Sequence, residues 1–336
     1  MSEAAIAIVG AGSIGVSWAI VFARAGHRVS LYDSDPRRLE LAAVELASKL
    51  DDLVAARLLD EPAGVVAARV SEQRALDDAL AGADHVQECA PESLELKQGL
   101  FASLDAATPA ATTLASSSSA LTASAIAGDL PGRSRCLIAH PANPPHLLPI
   151  VELVPAPFTA PEVLERTAAL LAGAGMSPVH VRREVEGFVY NRLQGAVLRE
   201  AYCLVRDGVA SVDDIDRVMR EGLGRRWAVI GPFETADLNT RGGIAVHAAR
   251  MGPAYARMGA ERGQHDPWTP ELIEQVTAER RELLALEDWE ERVAWRDRAL
   301  IAAEQARRSQ AAEGEGRHGA GGDTQSPAGR ADGARP

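Results

Sequence analysis

Two side chains twelve positions apart, His140 and Glu152, stand where their types could do chemistry together. His140 closes the apolar run Arg135-Cys136-Leu137-Ile138-Ala139-His140, and Glu152 lies inside the next one, Pro149-Ile150-Val151-Glu152-Leu153-Val154. A reversal of the chain between these runs could set the carboxylate beside the imidazole, giving a base and its orienter. A hydroxyl whose carbon gives up hydride must also lose its proton. A neutral imidazole can take that proton, while the carboxylate fixes the tautomer and stabilises the resulting imidazolium. Taken alone, a histidine at a strand end is more often a satisfied structural residue, and the prolines around it could serve rigidity alone.

The second chemical signal is Gly10-Ala11-Gly12-Ser13-Ile14-Gly15, which follows the run Ala5–Val9 and opens an apolar stretch through Ala25. In that context Gly10 permits a tight turn, Gly12 lets the backbone approach a pyrophosphate, and Gly15 lets helix and strand pack closely. The helix start adds N–H groups and partial positive charge. Asp33 closes the next strand, eighteen residues past Gly15, where a carboxylate can accept both ribose hydroxyls of an adenosine. An acid there repels a 2′-phosphate, so the expected cofactor is NAD rather than NADP. Asp33 and Ser34 also read as the start of a turn before Pro36.

The elements that must position these residues follow from periodicity. Short apolar runs at 4–9, 28–32, 85–89, 112–116, 135–140, 149–155 and 178–182 read as strands, alternating with amphipathic stretches such as 36–56, 93–106 and 160–173. That alternation predicts an α/β class, a Rossmann-type, mostly parallel sheet over residues 1–186. After Gly187 strand signals cease, and stretches at 188–207, 212–221, 271–285 and 289–307 predict an all-helical C-terminal domain over 187–310, with Ser211 as an N-cap. Residues 311–336 are mostly Gly, Ala, Glu, Arg, Ser and Pro with almost nothing apolar beyond alanine, the composition of a disordered tail.

Composition narrows the partners. A formal net charge of −12 argues against nucleic acid or an anionic membrane as the main partner. No apolar stretch approaches the roughly 20 residues of a membrane span, and the N-terminus lacks a signal-peptide pattern. Cytoplasmic residence is the default expectation. Cys89, Cys136 and Cys203 have neither disulfide-framework nor metal-ligand spacing, so reduced thiols and no metal are expected.

Gly10–Gly15, His140-Pro-Ala-Asn143-Pro, Glu152 and Gly187-Phe-Val-Tyr-Asn191-Arg192-Leu193, in that order, together resemble the 3-hydroxyacyl-CoA dehydrogenase superfamily. The resemblance implies His140 as catalytic base, Glu152 as its partner, and Asn191 and Ser119 as polar contacts near the reacting carbon. It also implies that Gly10, Gly12, Ser13, Ile14, Gly15, Asp33, Ser119 and Asn143 hold NAD, with Glu92 and Lys97 near the nicotinamide-side ribose. On sequence alone Ser116–Ser119 is a polar turn, and Glu92 and Lys97 belong to an exposed helix start, with Glu92 favouring the N-terminal dipole. Ser116–Leu121, His140–Pro145, Glu221–Thr235, Leu238-Asn239 and Trp295-Arg296-Asp297 are similar to the lambda-crystallin-like branch, which includes L-gulonate 3-dehydrogenase.

One departure from the acyl-CoA enzymes bears on substrate. The stretch Leu39–Leu59 carries only Lys49 and Arg57 as bases, beside Asp51, Asp52, Asp60 and Glu61, whereas CoA needs cations for its phosphates. Arg225 and Arg226 could instead hold the carboxylate of a small sugar acid, or form a solvated turn at a helix end. The expectation is an oxidoreductase acting on the 3-hydroxyl of a small L-3-hydroxy acid, with a homodimer implied by the family. The alternatives are a short-chain 3-hydroxyacyl-CoA dehydrogenase and an NAD-binding, crystallin-like structural protein without turnover.

Overall fold

The structure, a computed structural model, describes residues 3–228, 231–238 and 243–263, with isolated positions between 271 and 308. The described residues divide into two compact units, one running through Arg183 and taken up again from Ala294, the other spanning Glu184–Val293.

In the first unit, β1 (Ala5–Val9), β2 (Arg28–Tyr32), β3 (Val70–Gln73), β4 (His85–Glu88), β5 (Thr113–Ser116), β6 (Cys136–Pro141), β7 (Ile150–Pro155) and β8 (Ser177–His180) form one sheet in the order β3-β2-β1-β4-β5-β6-β7-β8. The first six strands are parallel. β7 then reverses against β6, and β8 runs alongside β7. The mostly parallel α/β sheet expected from the alternation is therefore present. The strand order turns back between β1 and β4, the place where doubly wound sheets open a crevice at their carboxyl ends.

The helices show why the sequence folds this way. α1 (Ser13–Arg24) buries every residue from Gly15 to Ala23, as a helix packed deep against a sheet must. α2 (Pro36–Ala55) starts where the Asp35 side chain accepts from the Arg37 N–H with Pro36 in the first turn, and it buries Leu39, Ala42, Leu46, Leu50 and Leu53 at helical spacing. From the C-terminal stretch, Ile301 joins the apolar core of this unit.

The second unit contains Tyr190–Arg206, Val212–Arg217, Gly224–Trp227, Pro232–Leu238 and Gly243–Arg262 as α-helices. No strand follows His180 among the described residues. Ser211 caps its helix by accepting from the Asp214 N–H. The helix expected at 212–221 becomes a π-helix over Val218–Leu223. Gly224 accommodates the widened turn, since a Cβ there would meet the Met219 carbonyl oxygen at 2.7 Å. The helices expected at 271–285 and 289–307, and the tail from 311, lie wholly or largely outside the described residues.

Candidate active site

At the carboxyl ends of β1, β4, β5 and β6 lies a cavity of about 280 Å³, lined by Ile14, Cys89, Ala90, Glu92, Lys97, Ser117, Ser119, His140, Pro141 and Asn143. His140 and Glu152 are directly opposite in the antiparallel β6–β7 register, which points both side chains to one face. His140 Nδ1 lies 2.8 Å from Glu152 Oε2, with both side chains buried. In the neutral tautomer that places its proton on Nδ1, the ring donates to this carboxylate and keeps a lone pair on Nε2. The loop beyond His140 carries a cis Asn143–Pro144 peptide and an exposed Asn143.

The glycine loop is shaped by sterics that a side chain would violate. Gly10 adopts φ +107°, and a Cβ on it would lie 2.7 Å from the Cys89 carbonyl; a Cβ on Gly15 would lie 1.9 Å from the Gly10 oxygen. Over Gly12 nothing lies within 4 Å of the same construction, so its backbone faces open space at the start of α1. Asp33 locks the loop to β2, its Oδ2 accepting from the Ala11 N–H at 2.8 Å and its Oδ1 from the Asp35 N–H at 3.0 Å. Each carboxylate oxygen keeps a further acceptor position.

The structure places Lys97 and Glu92 differently from each other. Lys97 is 1% exposed, and its ammonium donates to both oxygens of Glu88 (2.8 and 3.0 Å) and to the Ala90 carbonyl at 3.0 Å. Glu88 also accepts from the Ser116 hydroxyl and from the Ala90 N–H. Glu88, held by Lys97, thus ties together the ends of β4 and β5 beside the cavity. Glu92 Oε1 accepts from the Ser118 hydroxyl at 2.6 Å and from the N–H groups of Ser119 and Ala120, each at 3.0 Å. Partial burial raises the Glu92 carboxyl, but the Ser118 and backbone hydrogen bonds and the Lys97 charge outweigh it and leave the group below its ordinary value. A carboxylate therefore shapes the turn that carries Ser119.

Of the remaining candidates, Asn191 follows Gly187 (φ +75°) at the start of the helix Tyr190–Arg206, and Arg225 and Arg226 are exposed in Gly224–Trp227. All three belong to the second unit. Sequence reasoning passed over Glu88, Gln87, Ser117 and Cys89. The acid Glu88, nine residues before Lys97, was the signal that could have found the buried pair. No group of metal-ligating side chains occurs among the described residues, and no helix there is long and apolar enough to cross a membrane. A larger cavity of about 590 Å³, lined in part by Arg24, Asp60, Glu61 and His146, holds none of the loop glycines and neither Asp33 nor His140.

Residues 5–185 match the NAD-binding domain of 3-hydroxyacyl-CoA dehydrogenase, and residues 187–282 match its C-terminal domain. The chain belongs to the 3-hydroxyacyl-CoA dehydrogenase family. Its members are NAD-dependent oxidoreductases, and the loop geometry of this one fits that cofactor. The chain is 46% identical to a lambda-crystallin homolog of Bos taurus over 255 residues, 75% of this chain and 79% of that protein. To an L-carnitine dehydrogenase of Streptomyces griseus it is 39% identical over 277 residues, 80% of this chain and 78% of that one. Among solved structures, 5-formyl-3-hydroxy-2-methylpyridine 4-carboxylic acid 5-dehydrogenase, an NAD+-dependent dismutase, superposes with a TM-score of 0.79 at 29% identity, covering 91% of this chain and 98% of that one. Within the family, then, the chain has relatives named for free acids as well as for acyl-CoA.

Proposed function

We propose that this dehydrogenase oxidises the 3-hydroxyl of a small L-3-hydroxy acid, in the manner of L-gulonate 3-dehydrogenase, with His140 as the general base. The observation that carries the reading is the His140 Nδ1–Glu152 Oε2 contact of 2.8 Å on the wall of the cavity. His140 Nε2 takes the hydroxyl proton as the carbon loses hydride, and Glu152 holds the ring and stabilises the imidazolium. NAD, when bound, supplies the hydride acceptor. Gly10, Gly12, Ser13, Ile14 and Gly15 would cradle its pyrophosphate half and Asp33 its adenosine ribose. Ser119 and Asn143 are assigned to the cavity side of the same ligand, with Glu92 and Lys97 setting the turn and strand ends beneath them. Asn191 is assigned to substrate, and Arg225 and Arg226 to its carboxylate.

A free acid is preferred over acyl-CoA because the bases expected to meet CoA phosphates are few or already paired. Of the two bases in Leu39–Leu59, Lys49 lies 3.8 Å from Glu45, and Arg57 stands exposed near Asp60 and Glu61 in sequence. The relative named for L-carnitine, itself a small hydroxy acid, supports the same class. A cytoplasmic homodimer formed through the helical unit belongs to this proposal, supported by the exposed Leu193, Leu198, Tyr255 and Met258 of that unit and read by light scattering.

The test is NADH formation with L-gulonate, L-3-hydroxybutyrate, L-carnitine and 3-hydroxybutyryl-CoA. Turnover with a free acid at much higher kcat/KM than with the thioester supports the proposal. The reverse preference replaces it with a short-chain 3-hydroxyacyl-CoA dehydrogenase, and NAD binding with no turnover on any of the four favours the structural, crystallin-like reading.

A further inference from the structure

Beneath the cavity runs a chain of hydrogen bonds whose direction is fixed by the groups at its ends. Gln87, in the middle of β4, is fully buried. Its terminal amide atom lies 3.3 Å from the Ala139 carbonyl, which can only accept, so that atom must be the nitrogen. Gln87 Oε1 therefore faces His85, and His85 Nε2, 3.1 Å away, carries the proton. Burial keeps that imidazole neutral, lowering it to about 4. Gln87 Nε2 donates again, at 2.7 Å, to Ser117 Oγ, and Trp18 Nε1, which can only donate, lies 3.1 Å from the same oxygen.

A hydroxyl oxygen has two acceptor positions and one proton. At Ser117 both acceptor positions are filled, so its remaining capacity is to donate. Among the described residues the acceptor within reach is Cys89 Sγ at 3.3 Å. Burial pushes that thiol up to about 12, so it stays protonated and is a poor acceptor. Ser117 and Cys89 both line the cavity.

We propose that Ser117 is a specificity-determining residue of this cavity, a hydroxyl made donor-only by Trp18 and Gln87, which binds a carbonyl-type oxygen of the ligand. Two ligands bring such an oxygen, the carboxamide of NAD and the carboxylate of the hydroxy acid. The inference rests on the cavity being the reaction site. Binding exchanges an O–H···S contact for a stronger O–H···O bond, whereas a ligand N–H in that position would meet a proton and find no acceptor. A donor fixed by buried neighbours also loses little rotational freedom when the ligand arrives.

The experiment uses the full-length protein with Ser117→Ala and Ser117→Cys, the second keeping the side-chain shape while weakening the donor. NADH and its thionicotinamide analogue, in which sulfur replaces the carboxamide oxygen, are titrated by fluorescence, and KM is measured for the best acid. If the cofactor is the partner, wild type favours NADH over the analogue, and either variant loses roughly three- to tenfold in NADH affinity and most of that preference. If the acid is the partner, the same loss falls on its KM while NADH affinity is unchanged. Should Ser117→Ala fail to fold, Ser117→Cys is read alone. Unchanged NADH affinity, analogue preference and KM in a folded variant overturn the proposal. His140→Gln, assayed in parallel, tests the base through turnover while NADH affinity is expected to stay in place, so the two readings fail separately.

Discussion

The β6–β7 hairpin and the segment Val218–Trp227 both carry residues assigned to the reaction, and they hold them by opposite means. In the hairpin, backbone register sets His140 against Glu152, and burial of both groups keeps water from competing. In Val218–Trp227, a π-helix passes into a single α-helical turn, and Arg225 and Arg226 stand exposed on it. Proton transfer needs a fixed angle and distance, and strand pairing supplies them before any ligand arrives. Charge recognition works over longer distances through solvated side chains, and it is correspondingly screened.

The sharpest way to break that contrast is at the hairpin. His140→Gln is expected to lower turnover by roughly 10²–10⁴-fold while NADH affinity measured by fluorescence stays near wild type. Glu152→Gln is expected to be milder in turnover, because it removes the carboxylate that orients the ring and leaves in place the ring nitrogen that takes the proton. Near-normal turnover in the His140 variant would leave only the nucleotide-binding fold standing.

Next in size is a stability effect from the same sheet. His85 is lowered to about 4 chiefly by burial, partly opposed by the Gln87 hydrogen bond. In the unfolded chain it takes up its proton near pH 6.5, so between there and about pH 4 the unfolded state binds more protons and stability rises with pH. This contribution, on the order of 3 kcal/mol for a shift of this size, is present above the unfolded value and lost as pH falls toward 4. Urea unfolding of wild type and His85→Gln at pH 7 and pH 5 measures it, and parallel losses in the two proteins would contradict the assignment.

Asp33→Ala is expected to weaken NAD binding by about 1–3 kcal/mol, the range for a charged hydrogen-bond partner. Wild-type kcat/KM with NADP equal to that with NAD would remove the role given to Asp33. The smallest effect belongs to the exposed arginines: Arg225→Gln with Arg226→Gln should raise KM for the acid by about two- to fivefold at low salt, with kcat retained, and the difference should shrink as salt is added. A loss in kcat as large as that of His140→Gln would erase the distinction between the two regions.

Much of the sheet and its crevice was legible in the sequence because each signal had one local cause. The glycine loop, Asp33 and the strand ends announce themselves by residue type at fixed spacing, and the helix α2 by an Asp-Pro start and a repeating leucine face. β3 was missed because an edge strand reading Val-Ser-Glu-Gln, half exposed, has neither an apolar run nor turn signals at its ends. The π-helix after Arg217 escaped since its cause, the close approach of Gly224 to the Met219 carbonyl, appears only in three dimensions. Lys97 reads as an exposed lysine of a helix start until β4 supplies Glu88 beneath it. Ser117 is one of four consecutive serines, and nothing in the run says which one meets Trp18, 99 residues away.

The reversal of β7 against β6 has a consequence for how such a site can be inherited. Residues added to the loop 142–149 leave the strand pairing untouched, so the mouth of the cavity can lengthen or change shape from one descendant to the next. Inside either strand, one inserted residue turns every later side chain to the other face of the sheet, and the carboxylate no longer meets the imidazole. Loop growth can therefore reshape the ligand's surroundings, while the His140–Glu152 contact persists only where both strands keep their length.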